Sequence, residues 1–128
     1  MATKFYALLT TRGQAKLAQA AALGTQLKIT QMAVGDGNGA LPTPNASQTA
    51  LVHENRRAAL NSLTVDPLNV SQIIAEQVIP ENEGGWWIRE IGLFDEVGDL
   101  IAVANCAETY KPLLAEGSGR TQVIRMIL

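Results

Sequence analysis

The stretch that decides the reading is Gly84-Gly85-Trp86-Trp87-Ile88-Arg89-Glu90-Ile91-Gly92-Leu93-Phe94-Asp95, continued by Glu96-Val97-Gly98-Asp99-Leu100-Ile101-Ala102-Val103-Ala104-Asn105. It holds both tryptophans and one of the two phenylalanines in 128 residues. Paired glycines open it, and the polar break at Asp95, Gly98 and Asp99 divides it into strand, turn and strand. A chain this poor in aromatic residues places them where packing counts most. The hairpin, about 86–105, is therefore read as the centre of the fold. Period-two alternation puts Trp86 and Trp87 on opposite faces, and Arg89 and Glu90 likewise. Neither face is then solvent-like, so the strand is sandwiched within the fold or covered by another chain. Charge inside such a strand is costly unless paired, so at least one of the two is expected to meet an opposite charge across strands or subunits.

Working outward, Phe5 to Leu9 reads as a first strand. Thr10-Thr11-Arg12-Gly13 offers cap residues for an Ala-rich helix at about 12–23, which Gly24 stops. Its apolar face is expected to use Leu17, Ala20, Ala21 and Leu23. The run from Leu27 to Val34 reads as a half-buried strand with Leu27, Ile29 and Ala33 on one side. The glycine- and proline-rich run from Gly35 to Asn45 is a loop, and Ser47 is a candidate N-cap for a short helical turn reaching His53. Ala58 to Val65, ended by an Asp66-Pro67 turn, and Ser71 to Ile79, closed by Pro80 and the acidic turn 81–83, read as hairpin partners. Residues 107–112 are expected to leave the sheet, 116–120 to form a second flexible loop, and Thr121 to Leu128 to form a last strand. Its apolar end at Leu128 reads as a cut end within a longer product. The fold class that results is α+β: a small, mostly antiparallel sheet domain with one helix.

Composition bounds the function. The length allows one core, and a formal charge of −2 gives no electrostatic case for nucleic acid. Charged residues make up 17%, below the usual quarter, which fits either a surface partly covered by a partner or simply an Ala- and Gly-rich domain. The lone cysteine, Cys106, excludes an internal disulfide and a cysteine-based zinc site, and reads as a small buried hydrophobe. No run is long enough for a membrane span, and the N-terminus is too polar-flanked for a signal peptide, so synthesis in a reducing cytoplasm is expected.

The chemical motifs fail on mechanism. Gly35-Asp36-Gly37-Asn38-Gly39-Ala40 spells a dinucleotide pattern, but Leu41-Pro42-Thr43-Pro44 cannot open the helix that would hold a pyrophosphate. As a calcium loop it offers Ser47 where the twelfth-position Glu belongs. His53-Glu54-Asn55-Arg56-Arg57 lacks the second histidine of a zinc protease. No serine sits in a nucleophile elbow, and Glu81 and Glu83 lie in a solvated turn. No enzyme site and no cofactor or metal site is expected. Trp86, Trp87, Arg89, Glu90, Phe94, Arg56, Arg57 and Tyr110 are the candidates for an assembly interface.

Five ordered blocks carry a resemblance: Thr10-Thr11-x-Gly13-x-Ala15-Lys16-Leu17, Met32-Ala33-Val34-Gly35-Asp36-Gly37, Trp87-Ile88-Arg89-Glu90-Ile91-Gly92-Leu93-Phe94-Asp95, Leu100-Ile101-Ala102-Val103-Ala104-Asn105 and Tyr110-Lys111-Pro112. Together they resemble the N-terminal domain of tail (collar) fibre proteins of P2- and Mu-like contractile-tailed phages and related phage-tail-like bacteriocins. The resemblance implies a single virion structural domain over 1–128 that fastens a homotrimeric fibre to the tail baseplate. It also implies a shaft and host-binding part beyond residue 128, with a separate chaperone assisting that distal part. A carbohydrate-binding module using exposed tryptophans is the alternative from another class.

Overall fold

The computed structural model describes residues 5–24, 27–66, 69–112 and 121–127. Two antiparallel sheets stack. The first has five strands: β1 (Ala7–Leu9), β2 (Ile29–Gly35), β3 (Glu54–Ala59), β6 (Trp86–Asp95) and β7 (Leu100–Lys111), in the order β1-β7-β6-β2-β3. The second has three: β4 (Ser62–Asp66), β5 (Asn69–Ile79) and β8 (Gln122–Ile127), in the order β4-β5-β8. One helix, α1 (Thr11–Leu23), crosses from β1 towards β2. The mostly antiparallel α+β class read from the sequence is the one observed.

The main core lies between the sheets. Met32, Val34, Ile88, Ile91, Leu93, Ala102 and Ala104 of the larger sheet meet Ala75, Ile79, Ile124 and Met126 of the smaller one. A second cluster of Ala33, Leu51, Phe94, Leu100 and Val103, with Leu8, covers the other face of the larger sheet. There the connection 40–53 lies over the sheet. Leu51 packs into the cluster, the Asn105 side chain donates to the Pro42 carbonyl at 2.9 Å, and the Thr11 amide donates to the Ala46 carbonyl at 2.7 Å. Thus β6 is covered on both faces from Ile88 to Asp95 by its own chain.

Helix α1 begins where Thr10 caps it. The Thr10 hydroxyl accepts from the Gly13 amide at 2.9 Å and donates to the Leu100 carbonyl at 2.6 Å, so one buried side chain ties the helix start to β7. Gly24, at φ 68°, ends the helix with its amide on the carbonyls of Ala20 and Ala21. The expected apolar face is corrected: Gly13 and Ala20 are buried, whereas Leu17 (48% exposed) and Leu23 (68%) face outward. The cause is close approach. A Cβ at Gly13 would stand 2.0 Å from the Ile101 carbonyl oxygen, so the helix rests on its smallest residues.

Other sequence expectations change for identifiable reasons. The run 58–65 is not one strand: it breaks at Leu60 and Asn61 and passes from β3 in one sheet to β4 in the other. The Leu60 amide donates to Thr30 and the Asn61 amide to Glu76, one residue serving each sheet. The pairing of β4 with β5 agrees with the expected hairpin, while β3 pairs with β2. Ser47 starts no helix, because Asn45 takes the turn; its Oδ1 accepts from both the amide and the hydroxyl of Ser47. Residues 107–111 do not leave the sheet, since β7 continues to Lys111 opposite Trp86. A register shift between Ile29 and Gln31 sets Ile29 against the inter-sheet core and Ala33 into the other cluster, instead of on one side. The turn at Pro67, the loop 116–120 and Leu128 lie outside the described residues.

At the β6–β7 turn, Asp95 Oδ1 accepts from the amides of Val97, Gly98 and Asp99 at 2.9–3.2 Å, and Lys16 of α1 bridges the carboxylates of Asp95 and Asp99. Burial pushes the Asp95 carboxyl up, but the Lys16 ammonium and the amides of Asp99 and Gly98 outweigh it and hold the group below its ordinary 3.8. A depressed carboxyl stabilises fully above its unfolded value and loses that contribution as pH falls through the folded value. Urea midpoints at about pH 6 and about pH 3 should therefore drop on acidification, and by less in Asp95→Asn; equal drops would show that this carboxylate is uninvolved. Gly13→Ala gains about 1 kcal/mol of helix propensity yet should lower stability by about 1–3 kcal/mol through overpacking, read by the same unfolding curves.

Candidate assembly interface

The register of β6 against β7 shifts between Ile88 and Glu90, where Ile88 faces Thr109 and Glu90 faces Asn105. Ile88 and Ile91 consequently enter the same core, although strict alternation would separate them. The irregularity also overturns the expectation that Arg89 and Glu90 take opposite faces. Both reach the loop after β2: Arg89 Nη1 donates to the Asp36 carbonyl at 2.9 Å, and Glu90 Oε2 accepts from the Gly37 amide at 3.2 Å.

Glu90 is fully buried and its carboxylate is held by backbone amides. Val52 donates to Oε1 at 2.8 Å, and His53 donates to Oε2 at 2.8 Å beside the Gly37 contact. Three amide dipoles thus satisfy Glu90, while Arg89 meets the expected opposite charge across the strands in Glu108. The loop is shaped for this purpose. Gly35 has no room for a Cβ, which would stand 2.6 Å from Glu90 Oε2, and Gly37 adopts φ 65°. Asp36 Oδ1 accepts from the Asn38 amide at 2.9 Å and meets His53 Nδ1 at 2.8 Å. Burial raises the Asp36 carboxyl, while Asn38 and His53 more than compensate and leave it below its ordinary value. The glycine-rich stretch opens no long helix; it forms a single 3-10 turn, Gly37–Gly39, with Asn38 left-handed at φ 58°.

The proposed interface residues separate into groups. Trp87 (44% exposed) and Tyr110 stand 5.4 Å apart with their rings inclined at 57°, and the Arg89 guanidinium lies 5.6 Å from the Trp87 ring. Glu108 completes this group through an ion pair to Arg89 at 3.5 Å. Trp86 turns the other way and packs against the inter-sheet core. Phe94 is buried with the Arg57 guanidinium 3.7 Å over its ring, and Arg57 also pairs with Glu54. Arg56 makes two hydrogen bonds to Glu83, at 3.0 and 3.3 Å, holding the 81–83 turn to β3 and the Glu83 carboxyl below its ordinary value. Glu90 and Phe94 therefore have no surface to present. Cys106, half-buried and near Glu90, has its thiol pushed up to about 11, mainly by burial, and is a poor nucleophile. Among the described residues no helix is long and apolar enough to cross a membrane.

Over residues 1–128 the chain matches the family described as phage tail-collar fibre protein, N-terminal. The chain belongs to that family. This tail-fibre N-terminal domain is also 57% identical over 129 residues to the probable tail fiber protein of Escherichia phage P2, covering all of this chain and 19% of that relative. No solved structure matches it. A tail-fibre component has a structural role in the virion.

Sequence reasoning missed the partners of Glu90, because backbone amides leave no residue-type signature. The one available signal was a glutamate in the most apolar strand together with two glycines at Gly35 and Gly37. Glu90→Gln should lower the free energy of unfolding by about 1–3 kcal/mol, and Glu90→Ala by more, since buried donors lose their acceptor. Faster hydrogen exchange at the amides of Gly37, Val52 and His53 should accompany the loss; unchanged exchange there would dissociate the carboxylate from the loop.

Proposed function

We propose that this domain is the attachment end of a tail fibre, fastening a homotrimeric fibre to the tail baseplate while the distal fibre contacts the host. The observation that carries the reading is the Trp87–Tyr110–Arg89 group on the outer side of the larger sheet. It combines the three residue types that dominate protein–protein hot spots, and it stands on strands whose own cores are closed. Rigid placement limits the ordering cost of binding, so a small aromatic patch suffices to anchor a partner. A carbohydrate platform is favoured less. The two rings are inclined at 57° instead of forming one flat shelf, and Arg89 already lies near the indole.

Binding of the domain to fibre-less tail particles is the direct test. Trp87→Ala should weaken binding by about 30-fold or more, the scale of a hot-spot residue, with Tyr110→Ala also impaired and thermal unfolding little changed. Full binding by both folded variants would refute the role of this patch. Tryptophan fluorescence that responds to host glycans but not to particles would favour the carbohydrate reading.

A further inference from the structure

Three arginines of the larger sheet use their guanidinium groups in two ways. Arg56 sets Nε and Nη2 against the two carboxylate oxygens of Glu83, at 3.0 and 3.3 Å. Arg57 sets the same two nitrogens on Glu54, with Nη2 at 2.8 Å. Both are two-pronged contacts of the kind that matches a planar carboxylate. Arg89 differs. Its Nη1 is fixed to the Asp36 carbonyl at 2.9 Å, and its side chain is 12% exposed. On the Nε and Nη2 side, Nη2 reaches Glu108 at only 3.5 Å, and the buried Nε has no partner among the described residues. Glu108 is itself 52% exposed, and the neighbouring carboxylates are spent, Glu90 on three amides and Asp36 on Asn38 and His53.

We infer that this open fork takes a carboxylate from the tail protein to which the domain attaches, an Asp or Glu side chain that displaces Glu108. The inference rests on the attachment reading above and names the chemistry of its partner. The guanidinium is already oriented. Asp36, in the loop that Glu90 fixes, grips Nη1, and the Trp87 ring stands beside it at 5.6 Å. Little ordering cost therefore remains for an incoming acid. Displacing Glu108 also costs little, because a long, exposed ion pair contributes little to stability. In return the acid supplies the acceptor that the buried Nε lacks, and a partner covering the half-exposed Trp87 ring strengthens the new pair by excluding water. A phosphate would match the fork as well, but phosphate-rich partners call for a basic cluster. This group holds one cation, on a chain of formal charge −2.

The test is binding of the folded chain and its variants to fibre-less tail particles, with circular dichroism to confirm the fold. Glu108→Gln removes the competing acceptor and should tighten binding by about twofold to fivefold, the scale of one exposed ion pair. Arg89→Gln should weaken binding about tenfold or more, and Arg89→Lys should recover only part of the loss, because it returns the charge without the fork. Glu108→Gln added to Arg89→Gln should bring no gain. If an Arg89 variant fails to fold, the exposed Glu108→Gln decides alone. A Glu108→Gln chain that binds as wild type or more weakly would overturn the inference, since Glu108 then supports Arg89 or meets the partner itself. So would wild-type binding by Arg89→Gln, or full recovery by Arg89→Lys. Normal binding by Trp87→Ala would sink the attachment patch as a whole. Loss of binding in Trp87→Ala with no response to Glu108→Gln would sink the carboxylate alone, so the two readings fail separately.

Discussion

The buried carboxylate of Glu90 is the constraint from which much of the domain follows. A carboxyl group inside an apolar strand is tolerable only if donors converge on it. Here the donors are amides of Gly37, Val52 and His53, drawn from two ends of one long connection. Satisfying the charge therefore fixes where residues 36–53 run. That course carries Leu51 over Phe94 and Leu100 and closes the second face of the larger sheet. An apolar side chain there would leave the amides of Gly37, Val52 and His53 without their acceptor. The glycine at Gly35 and the left-handed backbone at Gly37 are local consequences of the carboxylate.

The same demand for close approach explains the helix. Residues 11–23 have good helix propensity yet little aliphatic bulk; Gly13 sits against the backbone of β7 at Ile101, and Ala20 is buried. Polar tethers supplement that contact: Thr10 binds the Leu100 carbonyl, and Lys16 spans Asp95 and Asp99 across the hairpin turn. Leu17 and Leu23 are free to face outward because the fold does not depend on them.

Much of this was legible in the sequence where the signal is local. The hairpin, the capped helix with its Gly24 stop, the β4–β5 pairing and the final strand all rest on periodicity and turn chemistry, and each appears in the structure. What could not be read depends on distant backbone. Strict alternation through Arg89 and Glu90 failed because the register breaks there, and a bulge depends on the partner strand as much as on its own residues. The passage from β3 to β4 was hidden because Leu60 and Asn61 carry no glycine or proline, and their hydrogen bonds lie in two different sheets. Among the candidate interface residues, composition pointed to Trp87, Tyr110 and Arg89, which gather on one side of the larger sheet. It could not separate them from Phe94 and Glu90, which have the same interface-like chemistry and are spent inside.

The domain carries two outward surfaces of different chemistry. The aromatic patch lies on the side of the larger sheet away from the inter-sheet core, whereas the Ile74–Val123 face lies on the far side of the smaller sheet. Aromatic rings with a guanidinium bind through a few anchored residues, which suits a partner of different shape. The Ile74–Val123 face is aliphatic and is crossed by the Glu76–Arg125 ion pair. Because the inter-sheet core separates them, one surface can be occupied without displacing the other.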